Sequence, residues 1–424
     1  MIGAALTGRA AAVRQVVSLA FRNVTRHRRR SVIAVGAVAF GVVAMLLANG
    51  FIDWVLWGMR ETTIRSHLGH LQVTRAKYRE GGTADPFAYL IPPDAPIRAA
   101  LEAEPHVAVV APRLSFNGLV SRGDATLSFI GEGVAPDREA AIHRSDRFNL
   151  SVNIVEGRDL GDDAKPAVIV GTGLAENLGA KVGDAVVLLA NSPRGGLQAV
   201  EATVVGLFQT VSKAYDDSAL RVALPTAKKL LRVDGDHLLV VLLDDTRRTA
   251  GTAASLRARF PDGGVEFTPW YDLADFYNKT ATLFSQQAAV VNLIIAIIIV
   301  LSISNTLMMS VLERVGEIGT AMALGVTRAQ ILRQFLTEGV LLGALGGALG
   351  VAIGTVLAYA ISAVGIPMPP PPGMGRGYVA EIMVTPRLAL EALGIALATT
   401  LAASVYPAWK AARFVIVDAL RFNR

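Results

Sequence analysis

The chain has 424 residues, 52% of them hydrophobic and 18% charged, with a mean hydropathy of +0.44 and a formal net charge of +6. Soluble chains carry about 25% charge, so this balance disfavours an ordinary soluble enzyme and points to membrane spans. No cysteine is present, which excludes a disulfide framework, a zinc–thiolate site, an iron–sulfur cluster and a cysteine nucleophile.

In chain order, the first patterned segment is 13–24, with Val13, Val16, Val17, Ala20, Phe21 and Val24 on one helical face and Arg14, Gln15, Ser18 and Arg22 on the other. That suits a helix lying along the inner leaflet, or a basic anchor that only sets topology. An apolar run at 32–48, continuing to Trp57, is the first span, predicted as a retained anchor because no A-x-A site follows it.

Residues 58–285 have ordinary soluble composition and read as mixed α/β. Strands are predicted at 70–74, 107–110, 125–130, 167–170, 185–189, 202–207, 220–223 and 238–243, and helices at 96–104, 173–178, 225–231 and 246–260. Lys181-Val182-Gly183-Asp184 is a turn before a strand, and Gly195-Gly196 marks a hairpin. His67 and His70 could share a helical face, more simply as part of a solvated stalk than as metal ligands.

Further spans are predicted at 288–312, 339–364 and 388–405, with a stiff proline-rich loop at 367–372. Basic residues crowd the segment before span one (Arg9, Arg14, Arg22, Arg26, Arg28, Arg29, Arg30), the 313–335 loop (Arg314, Arg328, Arg333) and the tail (Lys410, Arg413, Arg421, Arg424). Basic flanks mark the cytoplasmic side, so both termini and that loop are expected inside and the long domain outside. The basic charge thus belongs to membrane topology, and no nucleic-acid partner is expected.

Between spans two and three, Val315, Ile318 and Met322 form one apolar stripe beside Glu313, Arg314 and Glu317. Gly325 is placed as a left-handed cap, and Thr327 with Gln330 fits a capping box opening the next helix. Such a stripe on a short surface helix suits docking into a partner's groove or resting on lipid headgroups. Span three carries two series of G-x-x-x-G steps, Gly339, Gly343, Gly347 and Gly346, Gly350, Gly354. These allow close helix packing, either within the chain or between subunits. Asn292, Ser302, Ser304 and Asn305 in span two read as interhelical glue. There is no Walker A loop, H-E-x-x-H or G-x-S-x-G motif, so no catalytic, cofactor or metal residues are expected.

These features resemble the FtsX-like permeases of ABC transporters, the group that contains the macrolide exporter MacB and the lipoprotein-releasing LolC and LolE. The group's inner-loop pattern is matched by Arg314, Glu317, Ile318, Gly319, Ala323, Gly325, Ile331, Phe335 and Glu338. The tail pattern is matched by Pro407, Ala408, Ala411, Ala412, Leu420 and Arg421. Val168-Ile169-Val170-Gly171 with Leu174-Ala175, Val182-Gly183-Asp184, and Gly206-Leu207-Phe208 with Tyr215-Asp216 look like the family's extracytoplasmic core.

The resemblance implies an α-helical membrane protein with four transmembrane helices and a large mixed α/β extracytoplasmic domain, of the MacB-like periplasmic core type, inserted between helices 1 and 2. The expected order is a cytoplasmic amphipathic segment 1–30, span one 31–57, outer domain 58–285, span two 286–312, coupling helix and turn 313–335, span three 336–365, outer loop 366–387, span four 388–408 and a cytoplasmic tail 409–424. It further implies that Glu313, Arg314, Glu317, Ile318, Gly319, Met322, Leu324 and Gly325 couple to a separate ATPase, present in two copies, which binds the ATP and Mg. The other implied partners are a second permease, identical or homologous, membrane lipid, and a periplasmic carrier or adaptor. The chain departs from MacB in having no fused ATPase. It departs from LolC in having only a short hairpin at 191–197 where a longer loop engages the carrier. The function implied is ATP-driven export or extraction of an amphiphilic cargo, lipoprotein or lipid, from a bacterial inner membrane. The alternatives are a MacB-like drug or peptide efflux permease and a non-transporting permease that controls a cell-wall hydrolase.

Overall fold

The computed structural model describes residues 28–82, 85–143, 153–161, 165–210, 213–369 and 378–416. The amphipathic 13–24 segment, residues 370–372 of the proline-rich loop and the end of the tail lie outside the described residues. In chain order the principal helices are α1 (Arg28–Thr63), α2 (Pro96–Glu102), α3 (Pro136–His143), α4 (Thr172–Leu178), α5 (Leu224–Leu231), α6 (Thr249–Arg259), α7 (Asp275–Glu313), α8 (Val315–Ala323), α9 (Arg328–Val364) and α10 (Pro386–Ala412). The strands of the large sheet are β1 (Leu71–Arg75), β2 (Val107–Arg122), β3 (Ala125–Val134), β4 (Asn153–Gly157), β5 (Ala167–Gly171), β6 (Ala185–Asn191), β7 (Leu197–Gln209), β8 (Ala219–Ala223), β9 (Leu238–Leu243) and β10 (Val265–Pro269).

These elements form two compact units. In the first, α1, α7, α9 and α10 are each long and apolar enough to cross a membrane. Their shared core joins Val38, Val42 and Leu46 of α1, Ile299, Ile303 and Leu307 of α7, Leu342 of α9, and Ala392, Ala396 and Ala403 of α10. Ile294, Ile297, Ile298 and Leu301 of α7 remain exposed, as expected of side chains that a bilayer covers. Helix α7 starts at Asp275, well before the apolar run at 288. Its first turns are polar, so hydropathy alone does not reveal them.

In the second unit the strands form one mixed sheet in the order β10-β1-β9-β2-β3-β8-β5-β7-β4, with β6 pairing β2 and β7. β3–β8 and β5–β7 are parallel pairs. β9, Leu-Leu-Val-Val-Leu-Leu, is buried almost throughout, which is why an unbroken apolar run rather than an alternating one encodes it. β6 alternates between covered and open positions and turns into β7 through Gly195 and Gly196, both at positive φ. One core packs α4 and α5 against β2, β3, β5, β6, β7 and β8, and another packs α2 and α6 against β1, β9 and β10.

The predicted strands are present and most run longer. β2 extends to sixteen residues because it pairs with β9 along its first half and with β3 along its second. β4, β10 and α3 escape sequence reading. β4 and β10 are five-residue strands without an apolar run, and α3 is a short, polar helix.

Candidate coupling surface

Only Arg314 separates α7 from α8. Its Nη1 donates to Glu338 Oε1 of α9 at 3.2 Å, its Nε donates to Glu317 Oε2 at 3.3 Å, and its guanidinium lies 5.8 Å from the Phe335 ring centroid. The Glu338 side chain is 5% exposed. A carboxylate that buried needs a charge partner, and a planar guanidinium supplies one. At the same level Glu313 pairs with Arg30 at the start of α1.

The far end of α8 is closed by a Schellman motif. Val326 N–H donates to Ala321 O at 3.0 Å and Gly325 N–H donates to Met322 O at 3.1 Å, with Gly325 at φ +99°. That left-handed backbone is the conformation glycine tolerates best. Two residues on, the Thr327 hydroxyl accepts from Gln330 N–H while Gln330 Oε1 accepts from Thr327 N–H, a complete capping box that starts α9. The chain therefore makes a helix, a sharp reversal and a second helix.

That reversal corrects the reading of the apolar stripe. Val315, Ile318 and Met322 share one face, as their spacing predicts, but the face is buried rather than presented to a partner's groove or to lipid headgroups. Ile318 and Met322 pack with Val311 of α7, Ile331 and Phe335 of α9, and Ala408, Ala411 and Ala412 of α10. Gly325 folds α8 back along the next helix, whose Ile331 and Phe335 supply the apolar surface that the stripe needs. Gly319 is buried as well. Of the residues chosen for docking, Ile318, Gly319 and Met322 thus seat the helix.

The outward face carries Glu317, Thr320 and Leu324 at i, i+3 and i+7, with Ala323, Gly325, Thr327 and Arg328 beside them. Leu324 is 83% exposed. Sequence reading missed Thr320 and Arg328. The signal available was the complementary stripe, polar residues bracketing one leucine beside a glycine turn. This face holds a carboxylate, a hydroxyl, an aliphatic side chain and a guanidinium, which suits protein contact.

The two glycine series of α9 point at different neighbours. A Cβ on Gly343 would fall 2.1 Å from Thr400 Oγ1, and one on Gly339 would strike Ser404, so these glycines, with Gly347, face α10. A Cβ on Gly346 or Gly350 would fall 2.6 or 2.7 Å from the Cβ of Val38 or Val42, and one on Gly354 would fall 2.8 Å from Leu46 Cδ1, so these face α1. Both stripes are spent on packing within the chain. Asn292 of α7 accepts from Asn49 Nδ2 of α1 at 3.0 Å, an interhelical contact of the kind expected. His67 and His70 do not share a face: His67 lies 3.6 Å from Glu132, and His70 bonds Thr246.

Four helices long and apolar enough to cross a membrane, a braced short helix and a mixed α/β unit define a multi-pass membrane protein with a large unit of soluble character. Residues 31–259 match the MacB-like periplasmic core domain and residues 289–416 match the FtsX-like permease C-terminal family. The first match alone takes in more than half of the chain, which belongs to the FtsX-like, MacB-type permeases of ABC transporters. It is 26% identical over 342 residues to the lipoprotein-releasing system transmembrane protein LolC of Xylella fastidiosa, covering 76% of this chain and 79% of that one. It is 26% identical over 347 residues to the macrolide export ATP-binding/permease protein MacB of Sodalis glossinidius, covering 78% of this chain and 50% of that one. Among solved structures, the periplasmic region of MacB from Actinobacillus actinomycetemcomitans aligns at a TM-score of 0.35 and 12% identity, covering 50% of this chain and 93% of that one.

Proposed function

We propose that a separate ATPase, in two copies, drives this permease through the outward face of α8. The α/β unit stands outside a bacterial inner membrane, both termini lie in the cytoplasm, and the chain works beside a second permease, identical or homologous. ATP and Mg are bound by the partner, and this chain supplies position and contact. Closure of the ATPases shifts the helices, and the shift moves the α/β unit to extract or export an amphiphilic cargo. Lipoprotein or lipid is the first expectation, because the LolC relative is named for lipoprotein release. A drug or peptide is the second, from the MacB relative.

The observation that carries this reading is the construction of α8. A nine-residue helix is marginal alone in water. Here one face is seated on three membrane helices, its start is tied by Arg314 to Glu338, and its end is fixed by Gly325. What remains outward is a rigid face led by Leu324. The arginines before α1 and around α8 favour a cytoplasmic location for that face.

The test uses the natural absence of cysteine. Single cysteines replace Leu324, Thr320 or Met322 in membranes of the host, and a short bifunctional cross-linker is added. Leu324→Cys and Thr320→Cys should capture an ATPase subunit, whereas the inward Met322→Cys should not. Capture of no ATPase at the outward positions would sink the coupling role. Native mass spectrometry of the complex then reads the copy numbers and any bound acylated peptide.

A further inference from the structure

Helix α1 does not end in an ordinary cap. Its last residues widen into a π turn, Ile64–Leu68, which stops at Gly69, whose N–H returns to Ile64 O at 2.7 Å. The next residue, His70, is 2% exposed and uses both ring nitrogens. Nδ1 accepts from Leu243 N–H of β9 at 3.0 Å, so the ring proton sits on Nε2. Nε2 donates to Thr246 Oγ1 at 2.9 Å, and that hydroxyl donates to Glu61 Oε1 of α1 at 3.2 Å. The His70 backbone makes two more bonds: its N–H donates to Val241 O of β9 at 2.9 Å, and its carbonyl accepts from Trp270 N–H at 3.1 Å. Trp270 opens the short helix Trp270–Leu273, which leads directly into α7.

One buried residue is therefore bonded to the end of the first membrane helix, to an interior strand of the sheet and to the segment that begins the second. Apolar packing follows the same lines, since Ile64, Trp270 and Ala274 form one cluster with Val240 and Leu242 of β9, Ala111 of β2 and Ile142 of α3. On the other side of the π turn, Arg113 Nη1 donates to His67 O at 2.7 Å. Arg113 is held in turn by Glu139 of α3 through bonds of 2.6 and 2.8 Å.

We infer that His70 is the positioning residue of a joint within the α/β unit that holds the last turns of α1 and the Trp270–Leu273 segment against β9, so that displacement of the end of α1 is delivered to the sheet. The inference rests on the proposed function for its purpose, while the joint itself is a property of this chain. The bonds run in one direction from Leu243 N–H through His70 and Thr246 to Glu61, whose Oε1 also accepts from Arg60 Nε at 3.2 Å, and a buried polar network whose members are satisfied rigidifies what it joins. It therefore resists sliding of the helix end against the strand better than apolar contact alone.

His237 provides an internal control. It is fully buried, accepts from Ser115 N–H at 3.1 Å and donates to Pro86 O at 3.0 Å, yet these bonds reach no membrane-crossing helix. The experiment compares His70→Ala, His70→Gln and His237→Ala in the full chain in nanodiscs, with spin labels on cysteines replacing Met59 near the end of α1 and Ser128 of β3. His70→Ala should broaden the interspin distance distribution, and His70→Gln, which keeps one donor and one acceptor, should restore it. His237→Ala should leave the width unchanged although it loses as many bonds.

In the complex with the ATPase, His70→Ala should hydrolyse ATP at the wild-type rate but release cargo about tenfold more slowly, the scale of ordinary intersite coupling. Equal widths in His70→Ala and wild type, or equal broadening in His237→Ala, would overturn the joint. The distance measurement needs no ATPase. Broadening in the isolated chain therefore supports the joint even where a wild-type complex that fails to couple overturns the proposed function.

Discussion

Arg314 and Glu338 form a 3.2 Å ion pair between the turn before α8 and the third turn of α9, with the glutamate side chain 5% exposed. Breaking a buried pair leaves a charge without compensation, at a cost of about 3–5 kcal/mol, whereas replacing both partners by apolar groups is often close to neutral. Arg314→Met should therefore lower the midpoint of thermal unfolding in detergent markedly, and Arg314→Met with Glu338→Leu should recover most of the loss. Additive losses in the double variant would show that the two residues act separately.

Gly325→Pro should abolish transport while leaving membrane insertion intact. Proline has no N–H to donate to Met322 O and cannot adopt the φ of +99° found there. The reversal that seats α8 is lost, and Leu324 with it. Glu317→Lys should also abolish transport, but with little change in unfolding, because the 3.3 Å pair it loses with Arg314 is solvent-exposed at the glutamate. Transport assays paired with thermal unfolding check both, and normal transport by either variant would refute its part in coupling.

Glycine contacts along α9 allow a graded comparison. Gly350→Ala places a Cβ 2.7 Å from the Cβ of Val42, so the helices must part, at a cost of about 1–3 kcal/mol. Gly36→Ala and Gly394→Ala meet nothing within 4 Å and should be neutral or slightly stabilising. Unfolding in detergent should separate the first from the other two.

At the joint, Gly69 sits at φ +66°, and a Cβ there would fall 2.4 Å from Val240 Cγ1. Gly69→Ala should therefore destabilise the α/β unit by more than about 1 kcal/mol, beyond the ordinary cost of replacing a left-handed glycine. Gly123→Ala, also at positive φ but in open space, measures that ordinary cost alone.

The pH response follows from two buried histidines. Burial lowers both His70 and His237 to about 4, and for His70 the positive charges of Arg65 and Arg60 act in the same direction. The folded state therefore binds fewer protons than the unfolded chain, whose histidines titrate near 6.5. Their contribution is complete above pH 6.5 and is lost as pH falls towards 4, with an order of magnitude of 3 kcal/mol for each. Chemical unfolding of the α/β unit at pH 7 and pH 5 should show the loss, and His237→Gln should remove about half of it, leaving the share of His70.

Much of this molecule was legible in the chain because the signals are local. Apolar runs declared α1, α7, α9 and α10, β9 appeared as one unbroken apolar stretch, and Gly325 with Thr327 and Gln330 spelled out the turn at α8. Tertiary structure decided which way each face points. The stripe of Ile318 and Met322 could not reveal that Ile331, Phe335 and Ala408 would cover it, because an apolar face looks the same whether protein, lipid or a partner buries it. The same holds for the glycines of α9, whose periodicity encodes close approach but not the neighbour that makes it. His70 and Glu61, separated from Thr246 by most of the α/β unit, carry no local pattern at all. Their chain of hydrogen bonds exists only because the sheet brings β9 to the end of α1.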